Sequence, residues 1–427
     1  MAAATIYALA SGRPPAAIAI IRVSGPAAHQ AGRLIGGELP PAREASLRAL
    51  RHPASRLLLD HGLLLRFDAP ASATGQDVVE FHVHGGRAVG DAVLDALASL
   101  AGLRLAEPGE FTRRALENGR IDLTEAEGLA DLIEAETETQ RRAALALAEG
   151  GLRAQIERWQ EQLLGLSARA EAAIDYADED EHSPVDALCR DCGALATELQ
   201  IWLERPRMER LRDGIRVVVA GPPNSGKSSL VNAIAGSDRA IVTAIPGTTR
   251  DHIEVPLALG GIPFILTDTA GLRESSEQVE RIGVERSHAL IGAADILLWL
   301  GEPDEAPAHP RLVKVHAKCD LPERATAPQG SCPASSGTGV GIAQLLAQVR
   351  DMAAGLMPEE DAIALNRRQA AHLSEAHEAT ARAALADDIV TVAEDLRLAR
   401  GAFDRLTGRA SVEDVLDALF SRFCLGK

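Results

Sequence analysis

Apolar positions change their period along the chain. Between residue 5 and about residue 117, short alternating runs such as Ala17 to Val23 and Asp77 to Val83 mix with helical stretches, punctuated by Pro14-Pro15, Pro40-Pro41 and Pro108-Gly109. That mixture predicts a compact α/β domain. From Leu123 the pattern becomes that of long helices, Thr124 to Glu149 and Leu152 to Tyr176. In the second, Leu152, Ile156, Trp159, Leu163 and Leu166 recur at helical spacing, as bundle core does. Between about Gly214 and Ala353, strand-like runs at Ile215 to Val219, Phe264 to Thr267, Ile296 to Leu300 and Leu312 to His316 alternate with helical segments. This predicts a mostly parallel sheet with its ligand at the C-terminal edge of the strands. Helices return from Glu360 to the end. The expected fold class is α/β plus α, with an α/β domain over 1–118, a discontinuous helical domain over 119–212 and 354–427, and an inserted nucleotide-binding domain over 213–353. Such an insertion gives a change around the nucleotide two chain connections through which to move the helices.

The inserted region opens on Gly221-Pro-Pro-Asn-Ser-Gly-Lys-Ser228, a full match to G-x-x-x-x-G-K-[ST] between a strand-like and a helix-like run. The glycines let backbone N–H groups close around phosphates, Lys227 brings a point charge to the β- and γ-phosphates, and the Ser228 hydroxyl can ligate Mg2+. Asp268-Thr-Ala-Gly271 follows an apolar strand, so that Asp268 reaches Mg2+ through water and the Gly271 N–H senses the γ-phosphate. In the intervening loop Gly247-Thr-Thr-Arg-Asp251, Thr249 is the expected second protein ligand of Mg2+. These three elements together predict a Ras-like P-loop GTPase domain. Its expected GTP contacts are Asn224, Ser225, Gly226, Lys227, Ser228, Ser229, Thr243, Ala244, Ile245, Pro246, Gly247, Thr248, Thr249, Asp268, Thr269, Ala270, Gly271, Lys318, Asp320 and Ala334.

Base choice rests on Ala317-Lys-Cys-Asp320, which stands where Asn-Lys-x-Asp is usual. Asp320 can accept two hydrogen bonds from guanine that adenine cannot donate. The absent Asn removes one contact, about 0.5–1.5 kcal/mol, so weaker binding with guanine preference retained is expected. The residue after Asp-Thr-Ala-Gly is Leu272, which cannot orient an attacking water, and the carboxylates Glu274, Glu277 and Glu280 follow it.

Charge and cysteine content narrow the partners. A net charge of −17 over 427 residues opposes broad electrostatic binding of nucleic acid, so any RNA substrate needs a local patch or a partner protein. The five cysteines are an odd number, no apolar leader follows the start, and no window reaches the length of a membrane span. A reduced, cytoplasmic protein with no membrane contact is expected. The acidic run Asp178-Glu-Asp-Glu181 reads as a solvated helix end. Cys189-x-x-Cys192 lacks a second ligand pair. His82 and His84 share one face of a strand without a third ligand, which favours pocket lining or packing over metal.

Taken together, these features resemble the MnmE/TrmE family of tRNA-uridine modification GTPases over nearly the whole chain. The resemblance is carried by Ile18 to Pro26, Gly75 to Glu80, His84-Gly-Gly86, Pro108 to Ala115, Asn118 to Leu123, Asp131-Leu-Ile133, the nucleotide motifs and the terminal Cys424-Leu-Gly-Lys427. It implies a homodimer formed through the N-terminal domain, which binds 5-formyl- or 5,10-methylene-tetrahydrofolate at Arg22, Glu80, Arg120 and Lys427. Arg120 stands where the family commonly has Lys, and Gln76 where it usually has Glu. It also implies a flavin-dependent MnmG-type partner in a heterotetramer, and a tRNA substrate whose wobble uridine receives an aminomethyl-type group at carbon five. By the same resemblance Glu280 positions the attacking water, and K+ is held by Asn224, Thr243, Ile245 and Thr248 in the place of an arginine finger. Glu280, Lys227 and Cys424 are thus the expected catalytic residues, with Cys424 either a nucleophile toward uridine or a pocket-lining thiol. A GTP-regulated ribosome-assembly or RNA-binding switch without one-carbon chemistry is the competing reading.

Overall fold

The computed structural model describes residues 4–175, 185–206, 208–237, 241–242, 254–269, 289–357, 363–410, 413–423 and 426. Their contacts define two compact units: Met1–Ala130 with Leu152–Gln160 and Arg400–Lys427, and Asp131–Gly151 with Glu161–Ala399.

The first unit is built on a six-stranded sheet. Its strands are β1 (Thr5–Leu9), β2 (Ile18–Ser24), β3 (Ser46–Arg51), β4 (Leu58–Phe67), β5 (Val78–His84) and β6 (Leu103–Leu105), in the order β3-β4-β5-β2-β1-β6. All pairings are antiparallel except β1 with β6. Strand periodicity puts Val79, Phe81 and Val83 of β5 in the core with Ile21, Val23, Leu50 and Leu64, beneath α1 (Ala28–Gly36) and α2 (Arg87–Ala98). The alternate residues look the other way. Leu47, Leu63, His82 and Ile20 are successive cross-strand partners, so they form one lateral row on that opposite face. Leu47 is 65% exposed, Ile18 at the end of β2 57% and Leu63 40%. At its β1 edge this face is closed by Phe111 of α3 (Glu110–Glu117), which packs with Ile6, Ala8 and Ala106.

The helix expected over Thr124 to Glu149 is two helices, α4 (Leu123–Glu134) and α5 (Glu138–Ala148). Thr137 interrupts it. Its hydroxyl accepts from the Gln140 N–H and the Gln140 side chain returns a bond to the Thr137 N–H, a capping box that starts a new helix. Beyond it, α6 (Gly151–Asp175) buries all of Leu152, Ile156, Trp159, Leu163 and Leu166, the stripe expected to be core. Trp159 stacks on Phe403 at 6.0 Å.

The N-terminus of α4 carries its own cap. Asp122 Oδ1 accepts from the Glu125 N–H at 2.9 Å and the Thr124 hydroxyl at 2.7 Å, and Glu125 Oε2 accepts the Asp122 N–H. Asp122 Oδ2 is buried without a hydrogen-bond partner, and burial pushes the carboxyl above its usual range. A raised carboxyl pKa favours the folded state only while the group is protonated, so the charge costs stability once pH rises through that pKa. Asp122→Asn keeps the capping oxygen and removes the charge. It is expected to raise the melting temperature at neutral pH and lose that advantage near pH 4, whereas Asp122→Ala loses the cap, about 1 kcal/mol. Thermal melts across pH check both.

In the second unit, α7 (Val185–Leu203) packs along the helix Arg367–Leu385. Cys192 is enclosed there, and burial pushes its thiol up to about 11, which suits packing rather than chemistry. The seven-stranded sheet of this unit comprises β7 (Ile215–Ala220), β8 (Ile241–Val242), β9 (Glu254–Leu259), β10 (Ile262–Asp268), β11 (Ile296–Trp299), β12 (Leu312–Ala317) and β13 (Cys332–Ala334), ordered β13-β12-β11-β7-β10-β9-β8. The strands from β13 to β10 run parallel, as the alternating pattern predicts. Two contacts join this sheet's surroundings to α5. Gln140 Nε2 donates to the Leu211 carbonyl at 2.9 Å, just before β7, and Gly261, just before β10, has the Thr139 hydroxyl 3.6 Å from where a Cβ would stand.

Candidate nucleotide and N-terminal sites

Strand β7, apolar except for the exposed Arg216, runs into Gly221, whose φ of 149° and close approach to Leu300 would strain any side chain there. The loop then turns through Asn224, at φ 60°, and Gly226, at φ 102°, into α8 (Lys227–Ala235). Gly226 supplies no side-chain cap, so the first N–H groups of α8 face the loop, the arrangement that binds phosphate. Lys227 is buried at this turn, and its Nζ donates to the carbonyls of Gly221 at 2.9 Å and Pro222 at 2.8 Å. Strand β10, paired with β7, delivers Asp268 to the same edge. The Ser228 hydroxyl donates to Asp268 Oδ2 at 2.5 Å, and Thr269 Oγ1 donates to the Val219 carbonyl. A hydroxyl and a buried carboxylate facing one another form a hard-oxygen pair that fits Mg2+.

The base-reading residues stand on the other side of the loop. Lys318, at φ 60°, donates from Nζ to the Asn224 carbonyl at 2.8 Å, and the Cys319 N–H donates to the Ala334 carbonyl at 3.3 Å. The parallel register Ala317 to Ala334 sets the second base-contact segment beside the first. Gly337 comes within about a side chain's reach of Asp320 Oδ2. The Ala317 methyl lies 4.0 Å from where a Cβ would stand at Gly226, and the nearby Ser225 hydroxyl is buried without a hydrogen-bond partner. An amide at 317 therefore enters a polar region with unused hydrogen-bonding capacity. Ala317→Asn is expected to tighten GDP binding about fivefold, close to 1 kcal/mol, in a fluorescent-nucleotide titration.

Thr243 to Thr249, Ala270, Gly271 and Glu280 lie outside the described residues, as do Cys424 and Lys427. The described part of the site is thus Asn224 to Ser229, Asp268, Thr269, Lys318, Asp320 and Ala334.

A second cluster forms on the open face of the first unit. Register pairs Arg22 with Glu80, and Arg22 Nε donates to Glu80 Oε1 at 2.8 Å. Read in sequence, Arg22 has no obvious partner. The fold supplies two, because its guanidinium also lies 5.7 Å from the centre of the Phe111 ring. Burial works to raise the Glu80 carboxyl, but the His82 hydrogen bond and the Arg22 guanidinium outweigh it and hold the group below its usual range. Arg120 is exposed, rests its methylenes on Gly75 and pairs with no carboxylate among the described residues. His84 turns instead to Asp60, at 2.8 Å. Gly426 is seated on β1: a Cβ there would stand 2.1 Å from the Leu9 carbonyl oxygen and 2.7 Å from the Ala10 Cα. Since Ala8 is the register partner of Arg22, this brings the end of the chain to the strand beside the cluster. Phe111, His82 and the seat of Gly426 are contributions that sequence spacing does not reveal.

A phosphate loop entering a helix, a carboxylate opposite its serine and a guanine-reading loop on one parallel-sheet edge define a P-loop GTPase of the Ras-like class. Family models assign the rest. The model described as GTP-binding protein TrmE N-terminus matches residues 5–120, and that described as MnmE helical domain matches residues 123–424. Relatives called tRNA modification GTPase MnmE include proteins of Rhizorhabdus wittichii, 54% identical over 99% of this chain and 96% of that protein, and Erythrobacter litoralis, 51% identical over 99% and 100%. The chain belongs to the MnmE family of tRNA modification GTPases, enzymes that hydrolyse GTP. Among solved structures, the G domain of the T. maritima FeoB iron transporter is 24% identical, covering 33% of this chain and 98% of that one with a TM-score of 0.24. Era from Aquifex aeolicus is 22% identical, over 38% and 66%, with a TM-score of 0.26.

Proposed function

We propose that this protein is a potassium-activated GTPase that dimerises through its N-terminal sheet. In the cytoplasm, with a flavin-dependent MnmG-type partner in a heterotetramer, it adds an aminomethyl-type group to carbon five of the wobble uridine of certain tRNAs. The observation that carries the reading is the convergence of Arg22, Glu80 and Phe111 on one face of one sheet, with Gly426 seated on the end of the adjoining strand β1. A guanidinium backed by the buried Phe111 ring and a depressed carboxylate suit a hydrogen-bonding heterocycle with an anionic tail. Arg22, Glu80, Arg120 and Lys427 would hold 5-formyl- or 5,10-methylene-tetrahydrofolate. The folate supplies a one-carbon unit when bound. The row Leu47, Leu63, His82 and Ile20, with exposed Ile18 beside it, supports a homodimer, because an apolar sheet face left open favours a second copy.

In the nucleotide cycle, Ser228 and Thr249 would ligate Mg2+, which supplies charge neutralisation at the phosphates. Asn224, whose main-chain carbonyl is taken by Lys318, would turn its exposed amide to K+ with Thr243, Ile245 and Thr248. The organisation expected for this work is an N-terminal domain over 1–118, helices over 119–212 and 354–427, and a GTPase domain over 213–353. Described residues include no helix long and apolar enough to cross a membrane. Equilibrium dialysis of 5-formyl-tetrahydrofolate against the full chain tests the reading. Saturable binding supports one-carbon chemistry, whereas GTP hydrolysis without folate binding favours the ribosome-assembly or RNA-binding switch.

A further inference from the structure

On the core-helix side of the N-terminal sheet, away from Arg22 and Glu80, three potential ligands from three elements converge. His29 comes from the first turn of α1, Asp68 directly follows β4 and Asp77 directly precedes β5. We propose that His29, Asp68 and Asp77 bind a divalent transition ion, with Zn2+ the best fit to one imidazole and two carboxylates.

The geometry favours an ion over a direct contact. His29 Nε2 stands 3.3 Å from Asp68 Oδ1, Nδ1 stands 3.5 Å from Asp77 Oδ2, and one donor atom from each residue can be chosen so that all lie within 4.8 Å of one another. Only one imidazole nitrogen faces a given ion: Nε2, 3.3 Å from Asp68 Oδ1, has the roughly 3.3 Å spacing of two ligands about 2.0–2.1 Å from a tetrahedral zinc, and Asp77 completes the set within the 4.8 Å span. Nε2 is shielded from solvent yet makes no hydrogen bond, although Asp68 is near. The Asp68 oxygen lies off the hydrogen-bond axis of this nitrogen, and an off-axis oxygen is what a shared ion between the two groups requires.

The remaining contacts orient the carboxylates. Arg66 donates from Nε and Nη2 to the two Asp68 oxygens at 2.8 and 2.9 Å, and the Ala69 N–H donates to Asp77 Oδ1 at 2.9 Å. Each carboxylate oxygen retains a second lone pair for a metal. With neutral His29, two carboxylates and one guanidinium leave a net charge of −1, which favours a dication. The bound ion would clip the 68–77 loop to α1.

The probe is Zn2+ alone, added to the full chain after chelation and removal of nucleotide and Mg2+. Titration calorimetry and elemental analysis are expected to show about one zinc per chain. His29→Ala and Asp77→Asn should each weaken binding at least about tenfold. Paired Cys189→Ser and Cys192→Ser changes should leave binding intact, and Co2+ in the same site should show tetrahedral ligand-field bands without thiolate charge transfer. The metal-free variants should melt with the wild type, while only the wild type gains melting temperature on adding zinc. Zinc uptake that is absent, unchanged in His29→Ala, or lost with the cysteines overturns the assignment.

Discussion

Replacing Glu280 by alanine is expected to lower kcat for GTP hydrolysis roughly 10²- to 10³-fold while GTP affinity stays nearly constant. The reason lies in the sequence around the nucleotide motifs: Leu272 offers no hydrogen bond to water, and Lys227 is the expected partner of the β- and γ-phosphates. On the proposed reading, charge developing on the leaving phosphate needs a cation supplied at the loop, which Asn224 would hold, and the water needs a carboxylate, which Glu280 would provide. Asn224→Ala should narrow the gap between rates in K+ and Na+ buffers. Single-turnover rates in the two salts, over a dilution series, are the measurement. Equal wild-type rates in both salts at every dilution would sink the cation-and-dimer mechanism.

The second large effect is expected at the opposite end of the chain. Gly426 has φ 95° and no space for a Cβ against Leu9 and Ala10, so Gly426→Val must displace the terminus from β1. Folate affinity should fall at least about tenfold, with GTP hydrolysis retained, because the proposed folate site draws on Lys427 at that terminus. Deleting Gly426 and Lys427 should do the same. Unchanged folate affinity in both variants would remove the C-terminus from the site.

Motifs and periods made much of this architecture legible. The strand expected over Ala17 to Val23 runs Ile18–Ser24, and that over Asp77 to Val83 runs Val78–His84, each displaced by one residue. The phosphate loop and its flanking elements were readable because loop, strand and helix signals are all local. The break at Thr137 was missed although Thr137 and Gln140 spell a capping box, since the helical pattern on both sides continues in phase through Glu134 to Glu138. The Arg22 to Glu80 pair was hidden for another reason. It spans 58 residues and depends on a strand register that no short pattern specifies. The seating of Gly426 likewise exists only after the terminus has packed.

Strand β10 carries a consequence for signalling between helix and nucleotide. Gly261, just before it, has the Thr139 hydroxyl of α5 3.6 Å from where a Cβ would stand, and Asp268 at its end accepts from the Ser228 hydroxyl. The strand between them is held on both sides by β7 and β9. A paired strand hardly stretches, so it behaves as a pushrod about 20 Å long. A shift of Asp268 along the strand axis would be carried toward the foot of α5, which Gln140 anchors to the chain entering β7. The metal-side carboxylate and the helix are then two ends of one lever, and a lesion at Thr139 should be felt in the nucleotide cycle without touching the nucleotide.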